Sequence, residues 1–275
     1  MLYRKIAPTM ACLCVAAAHA AAQAPSTQTP STQAPSPSSN SQYTQSFAAT
    51  GGVSLSQHLE ASSSPIPFSG TGLEGRLRYE RIGDRWDATI ALDGAGRGYS
   101  SRADAGTSVH ERAYDGALSA SLLRAIGSNS ASGFAAGVAL TVQGGWLEHQ
   151  YADPAATASD YVNGYALIGP AARWRHSALG GTATVRLDVP LVGVAHHPYT
   201  DARIDEASPI IRTVGPSVLH GYDASIGFES SANRRIGFMA EFQARALDYA
   251  DVQRSRTAST ALRAGLIVRF GKSHP

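Results

Sequence analysis

The sequence predicts an all-β fold: a transmembrane, antiparallel up-and-down β-barrel of about ten strands. Three observations carry that expectation. About ten segments alternate apolar and polar residues with a period of two, each long enough for the ~9 to 11 residues a tilted strand needs to cross a bilayer. Short and long connections between these segments alternate, as in a barrel whose two ends differ. Aromatic residues gather at one end of the apolar face, where rings suit the headgroup level of a membrane.

Taken in order, the chain of 275 residues opens with Arg4 and Lys5, a modest apolar run, and small residues around Ala20 and Ala22. Residues 1–22 therefore read as a secretory signal peptide cleaved near Ala22. The only cysteines, Cys12 and Cys14, fall inside it, so the mature chain is expected to hold neither disulfides nor cysteine-ligated metals. Residues 23–46, a degenerate repeat of Pro, Ser, Thr and Gln, have nothing apolar to bury and read as a disordered tether. The barrel is expected over 47–275.

The strands are expected near 50–61, 72–82, 85–99, 111–126, 133–147, 161–176, 181–195, 217–230, 234–248 and 259–271. The second and third form a hairpin about Gly83 and Asp84. In them Glu74, Arg76, Arg78 and Glu80 alternate with Leu73, Gly75, Leu77 and Tyr79, and Trp86, Ala88, Ile90 and Leu92 alternate with polar or small residues. In a soluble sandwich the charges would face water, whereas in a barrel Leu73, Leu77, Tyr79, Trp86, Ile90 and Leu92 face lipid and the charges face inward. The rings decide for the barrel. Tyr79, Trp86, Phe134, Trp174, Phe228, Phe238 and Phe270 share the aliphatic phase and lie beside short turns or the C-terminus, while Tyr114, Trp146 and Tyr222 make a thinner girdle opposite. A sandwich core has no reason to sort rings by height.

Phase then places a charge network in the lumen: Glu74, Arg76, Arg78, Glu80, Asp93, Arg97, Arg173, Arg186, Asp188, Asp223, Glu241, Arg245 and Arg263, with Asp87, Asp115, Arg175, Glu229, Gln243 and Arg269 alongside. Both signs interleave, and about ten strands enclose an interior only slightly wider than one that side chains fill. The two readings are a salt-bridged plug and a narrow aqueous path.

Composition excludes little else. A net charge of +2 gives no reason to expect a nucleic-acid partner, and Gly94, Gly96 and Gly98 lie in a strand with no helix after them, so they lack the context of a dinucleotide site. No catalytic residues and no cofactor are expected. Metal-site candidates are His58, His149 and His196, which fall near one end of their strands within reach of loop carboxylates.

The last segment, LRAGLIVRF, puts Leu262, Ala264, Leu266, Val268 and Phe270 on one face and Arg263, Gly265, Ile267 and Arg269 on the other. Here the chain resembles the outer-membrane β-barrel proteins of Gram-negative bacteria, whose final strand carries an assembly signal of polar, any, Gly, apolar, any, apolar and aromatic. Arg263 to Val268 fit that order and Phe270 supplies the aromatic, with GKSHP as an extra tail. The resemblance implies a bacterial outer-membrane location with a periplasmic tether. It also implies contact with outer-membrane lipid and lipopolysaccharide, and engagement of the barrel assembly machinery through the C-terminal strand. Enzymes of that architecture carry rim motifs, an Asp-x-His in omptin proteases and a His-x-Ser in lipid A deacylases and the outer-membrane phospholipase; this sequence contains neither. The leading expectation is a small barrel with a non-enzymatic structural or surface-interaction role, exercised through its loops and above all through His196 to Pro216. The alternatives are a narrow channel for small polar solutes or ions, and a rim metal site or hydrolase.

Overall fold

A computed structural model describes residues 43–60, 66–102, 108–126, 133–151, 160–178, 180–198, 209–214, 219–230, 235–249 and 255–270. The expected signal peptide, and the expected tether as far as residue 42, lie outside the described residues.

Twelve strands are described: β1 (Tyr43–Glu60), β2 (Ile66–Gly83), β3 (Trp86–Arg102), β4 (Ser108–Ile126), β5 (Gly133–Tyr151), β6 (Asp160–Ala178), β7 (Gly181–Asp188), β8 (Val192–Pro198), β9 (Pro209–Val214), β10 (Leu219–Ser230), β11 (Ile236–Tyr249) and β12 (Ser255–Phe270). Each pairs antiparallel with its neighbours. β1 pairs with both β2 and β12, and β5 with both β4 and β6, so the sheet closes on itself. β7 and β8 both pair with β6 and form one broken strand, while β9 pairs with β8 and β10 with β7 and form another. The barrel therefore has ten strands, as the periodicity predicts. Closure joins the first strand to the last and removes the free edge there, which matters because unpaired backbone groups in hydrocarbon cost several kcal/mol each.

The strands reach further than the periodicity suggests, chiefly at the end carrying the long connections. β2 begins at Ile66 rather than near 72, β4 at Ser108, and β9 occupies Pro209–Val214, inside the segment expected to be the longest loop. Beyond the membrane the outer face meets water, so apolar alternation fades while the ladder continues through backbone hydrogen bonds. At the opposite end β1 starts at Tyr43, inside the expected tether, because Tyr43 to Ser46 pair with Gly83 to Glu80.

The outer surface is apolar. Leu73, Leu77, Tyr79, Trp86, Ile90 and Leu92 are exposed, Leu73 by 71% and Trp86 by 52%. Phe134 and Trp146 mark the two aromatic levels on β5. At ~3.3 Å per residue and a tilt of ~45° they stand about 28 Å apart across the membrane, close to a hydrocarbon thickness of ~30 Å. Phe134 lies opposite Trp174, and the Tyr114 and Trp146 rings meet at 6.1 Å between centroids. An exposed apolar belt bounded by rings is a lipid-facing surface.

Candidate functional site

Alternation sends the charges of each strand into the lumen, where they meet residues from neighbouring strands and, in a few cases, from strands further round the barrel. Arg76 on β2 holds Asp93 of neighbouring β3 through Nε at 2.6 Å and, through Nη1, Glu241 of β11 at 2.7 Å. Glu241 is shared: Arg263 of β12 donates to it at 2.5 Å and to Glu74 of β2 at 2.6 Å. Arg263 is 2% exposed. Gln243 ties the same cluster together, accepting from Arg263 and donating to Asp223 at 2.6 Å. Toward the loop end Arg245 clamps Asp223 at 2.7 Å and reaches Gln143 of β5 at 3.0 Å, and Arg97 pairs with Asp115 and with Glu74 at 3.5 Å. Toward the turn end Arg173 of β6 bonds both Glu80 and Asp87, Arg78 bonds Glu229, and Arg186 holds Asp188 at 2.8 Å on its own strand.

Eleven of the thirteen lumen residues named from phase are thus in one interlocked set, which Asp87, Asp115, Glu229, Gln243 and Arg269 join, while Arg186 and Asp188 form a pair of their own. Gln143, which also accepts from the Tyr165 hydroxyl, was not named from the sequence. A search for charge passes over amides; the inward phase of β5 is the signal that finds it. Taking ions out of water costs several kcal/mol per ion, and the geometry here offsets that by giving the buried guanidinium groups carboxylates from two strands.

Apolar clusters stand at both ends of the charged layer. Ala48, Met239 and Ile267, the last wholly buried, pack at the turn end; Phe68, Tyr99 and Ala113 pack at the loop end. Among the described residues, cavities of about 30, 40 and 50 Å³ lie in the interior, each with room for one or a few waters.

The histidine candidates sit in strands, but the described residues exclude their side chains. Their backbone positions do not share a level. His149 lies opposite Glu111 on β4, whereas His196 lies opposite Gly164, which in turn lies opposite Gly144. His196 and His149 are thereby offset by about 17 Å along the strands, and His58 on β1 is separated from β5 by β2, β3 and β4. The convergence that the sequence suggested is not made by the register. Among the described residues no three His, Cys, Asp or Glu gather as a metal site.

The outer membrane protease OmpT from Escherichia coli has the same architecture, with a TM-score of 0.56 over 83% of this chain and 97% of that one at 7% identity. The chain has the fold of the bacterial outer-membrane β-barrels. Fold and lipid-facing belt together locate it in the bacterial outer membrane. Other barrels align less well. Ail of Yersinia pestis gives a TM-score of 0.34 at 10% identity, over 82% of this chain and 99% of Ail, and OprG of Pseudomonas aeruginosa gives 0.27 at 7%, over 84% and 98%. No protein-family model and no curated protein matches the chain. A shared fold by itself leaves the activity open.

Proposed function

We propose that this outer-membrane barrel is closed to solutes along its axis and serves a non-enzymatic structural or surface-interaction role, exercised at its loop end. The observation that carries the reading is the pair of links that span the lumen, Arg78 of β2 to Glu229 of β10 and Arg173 of β6 to Glu80 of β2. Together with Arg76, Arg263 and Glu241 they fill the interior with paired side chains, and the cavities between them hold one or a few waters each. The absence of an Asp-x-His or a His-x-Ser element supports the non-enzymatic side of the reading. Outer-membrane lipid and lipopolysaccharide surround the belt in this proposal, and the barrel assembly machinery engages β12 before it pairs with β1.

A narrow channel is the second reading, favoured by the polar lining of the two cavities within the charged layer. Planar-bilayer recording of the detergent-extracted protein separates the two. A heat-modifiable band on a gel with electrical silence supports the closed barrel, and discrete current steps from the native protein overturn it.

A further inference from the structure

The turn end of the barrel is basic on its outside. Among the described residues the exposed basic side chains there are Arg81, Arg85, Arg124, His176 and Arg235, and Asp84 is the one exposed carboxylate, since Glu80, Asp87 and Glu229 at the same end are buried inside.

Three of the arginines stand around one ring. Trp86, 52% exposed, lies directly opposite Arg124 across β3 and β4, so the two side chains share the outward face with their Cβ atoms about 5 Å apart. Arg81, on the outward phase of β2, lies opposite Ala88 and so on the diagonal to Trp86. Gly83, the next outward residue of β2, carries no side chain to screen the ring. Arg85 is exposed in the turn before Trp86, and its carbonyl accepts the Ala125 N–H at 2.9 Å, which pins the turn against β4. Among the described residues neither Arg85 nor Arg124 has a carboxylate within ion-pair distance.

Depth decides what these charges meet. A lipid-facing arginine is costly at the bilayer midplane and nearly free at the interface, where its long side chain snorkels to the headgroups. Trp86 marks that interface, because its ring suits the headgroup level. The short turns of outer-membrane barrels face the periplasm, so this end meets the phospholipid of the inner leaflet.

We propose that Arg81, Arg85 and Arg124, gathered about the Trp86 ring, form a docking site for the phosphate of an anionic phospholipid in the inner leaflet. The headgroup class follows from charge. Guanidinium forks match phosphate oxygens, and three cations beside Asp84 alone leave a positive field. In a zwitterionic lipid the headgroup amine already offsets the phosphate, whereas in phosphatidylglycerol the phosphate charge is uncompensated. The site goes beyond the role proposed for the loops, since it lies at the opposite end of the barrel.

Quenching of Trp86 fluorescence tests it. The full chain, carrying Trp146→Phe and Trp174→Phe so that Trp86 alone reports, is reconstituted in phosphatidylcholine vesicles, and brominated phosphatidylglycerol or brominated phosphatidylcholine is titrated in. Trp86 is expected to select the anionic lipid by at least about fivefold, the preference that one arginine's attraction to an anionic surface supplies. Equal quenching by the two lipids overturns the site. Arg81→Gln with Arg124→Gln is expected to remove the selection and Arg124→Gln alone to lower it, each read in its heat-modifiable form. Arg235→Gln, which precedes β11 and lies beyond β1 and β12, is expected to keep it. Selection that survives the double substitution, or that falls equally with Arg235→Gln, means a diffuse positive rim and overturns the site.

Discussion

Arg76 and Arg263, on strands separated by β1, converge on Glu241, with bonds of 2.7 and 2.5 Å. One carboxylate thereby compensates two buried guanidinium groups, and its loss is unequal to the loss of either partner.

Glu241→Leu leaves Arg76 and Arg263 short of a counter-charge, and stability is expected to fall by about 3–5 kcal/mol. A urea unfolding series in detergent, read by gel mobility, measures it. Replacing Glu241 and Arg263 together with apolar residues of similar volume should cost less than Glu241→Leu alone, because Arg76 then keeps Asp93 and Glu74 keeps Arg97. A double variant weaker than the single one overturns the compensation argument.

Cutting the same junction back tests the closed lumen. Serine at Arg76, Glu241 and Arg263 removes three of the side chains that fill the interior, and the triple variant is expected to show small current steps in a bilayer where the native protein is silent. Silence in a correctly folded triple variant would mean that the apolar clusters around Ile267 and Phe68 seal the ends on their own.

The lipid-facing belt makes a depth-dependent prediction. Leu92→Arg, near the middle of the apolar surface, is expected to cost about 2–4 kcal/mol, and Ile126→Arg at the turn end about 0–1. Reversible unfolding from lipid vesicles reads the difference, and equal costs at both sites contradict the assignment of the outer face.

Closure of the barrel depends on Gly265. It lies opposite Thr50 in the β1–β12 pair, and a Cβ there would sit 2.0 Å from the Ala49 carbonyl. Gly265→Ala is expected to abolish the heat-modifiable form, whereas Gly94→Ala, whose Cβ meets nothing within 4 Å, is expected to leave it intact. The same gel decides both.

Most of the barrel was legible from the sequence because lipid, wall and lumen impose a period of two on each crossing. Leu73 and Glu74 declare opposite faces by chemistry alone. The reading failed where that contrast disappears. The loop-end extension around Ser69 has an outer face beyond the belt, and β9 lies in a stretch that carries no alternation, so backbone pairing there leaves little trace in residue type. The relative levels of His58, His149 and His196 were not legible either, because they depend on register, which shifts with every turn.

By itself, then, the sequence determined that strands cross a membrane, how many there are, and which residues face lipid and which face inward, since each of these follows from local alternation. Only the tertiary structure decided that Arg76 and Arg263 share Glu241, that Arg173 bridges Glu80 and Asp87, and that the register on β6 slips by one residue between Asp188 and Val192. Those facts depend on shear and closure, which bring residues more than a hundred positions apart to the same height, and no local pattern carries that information.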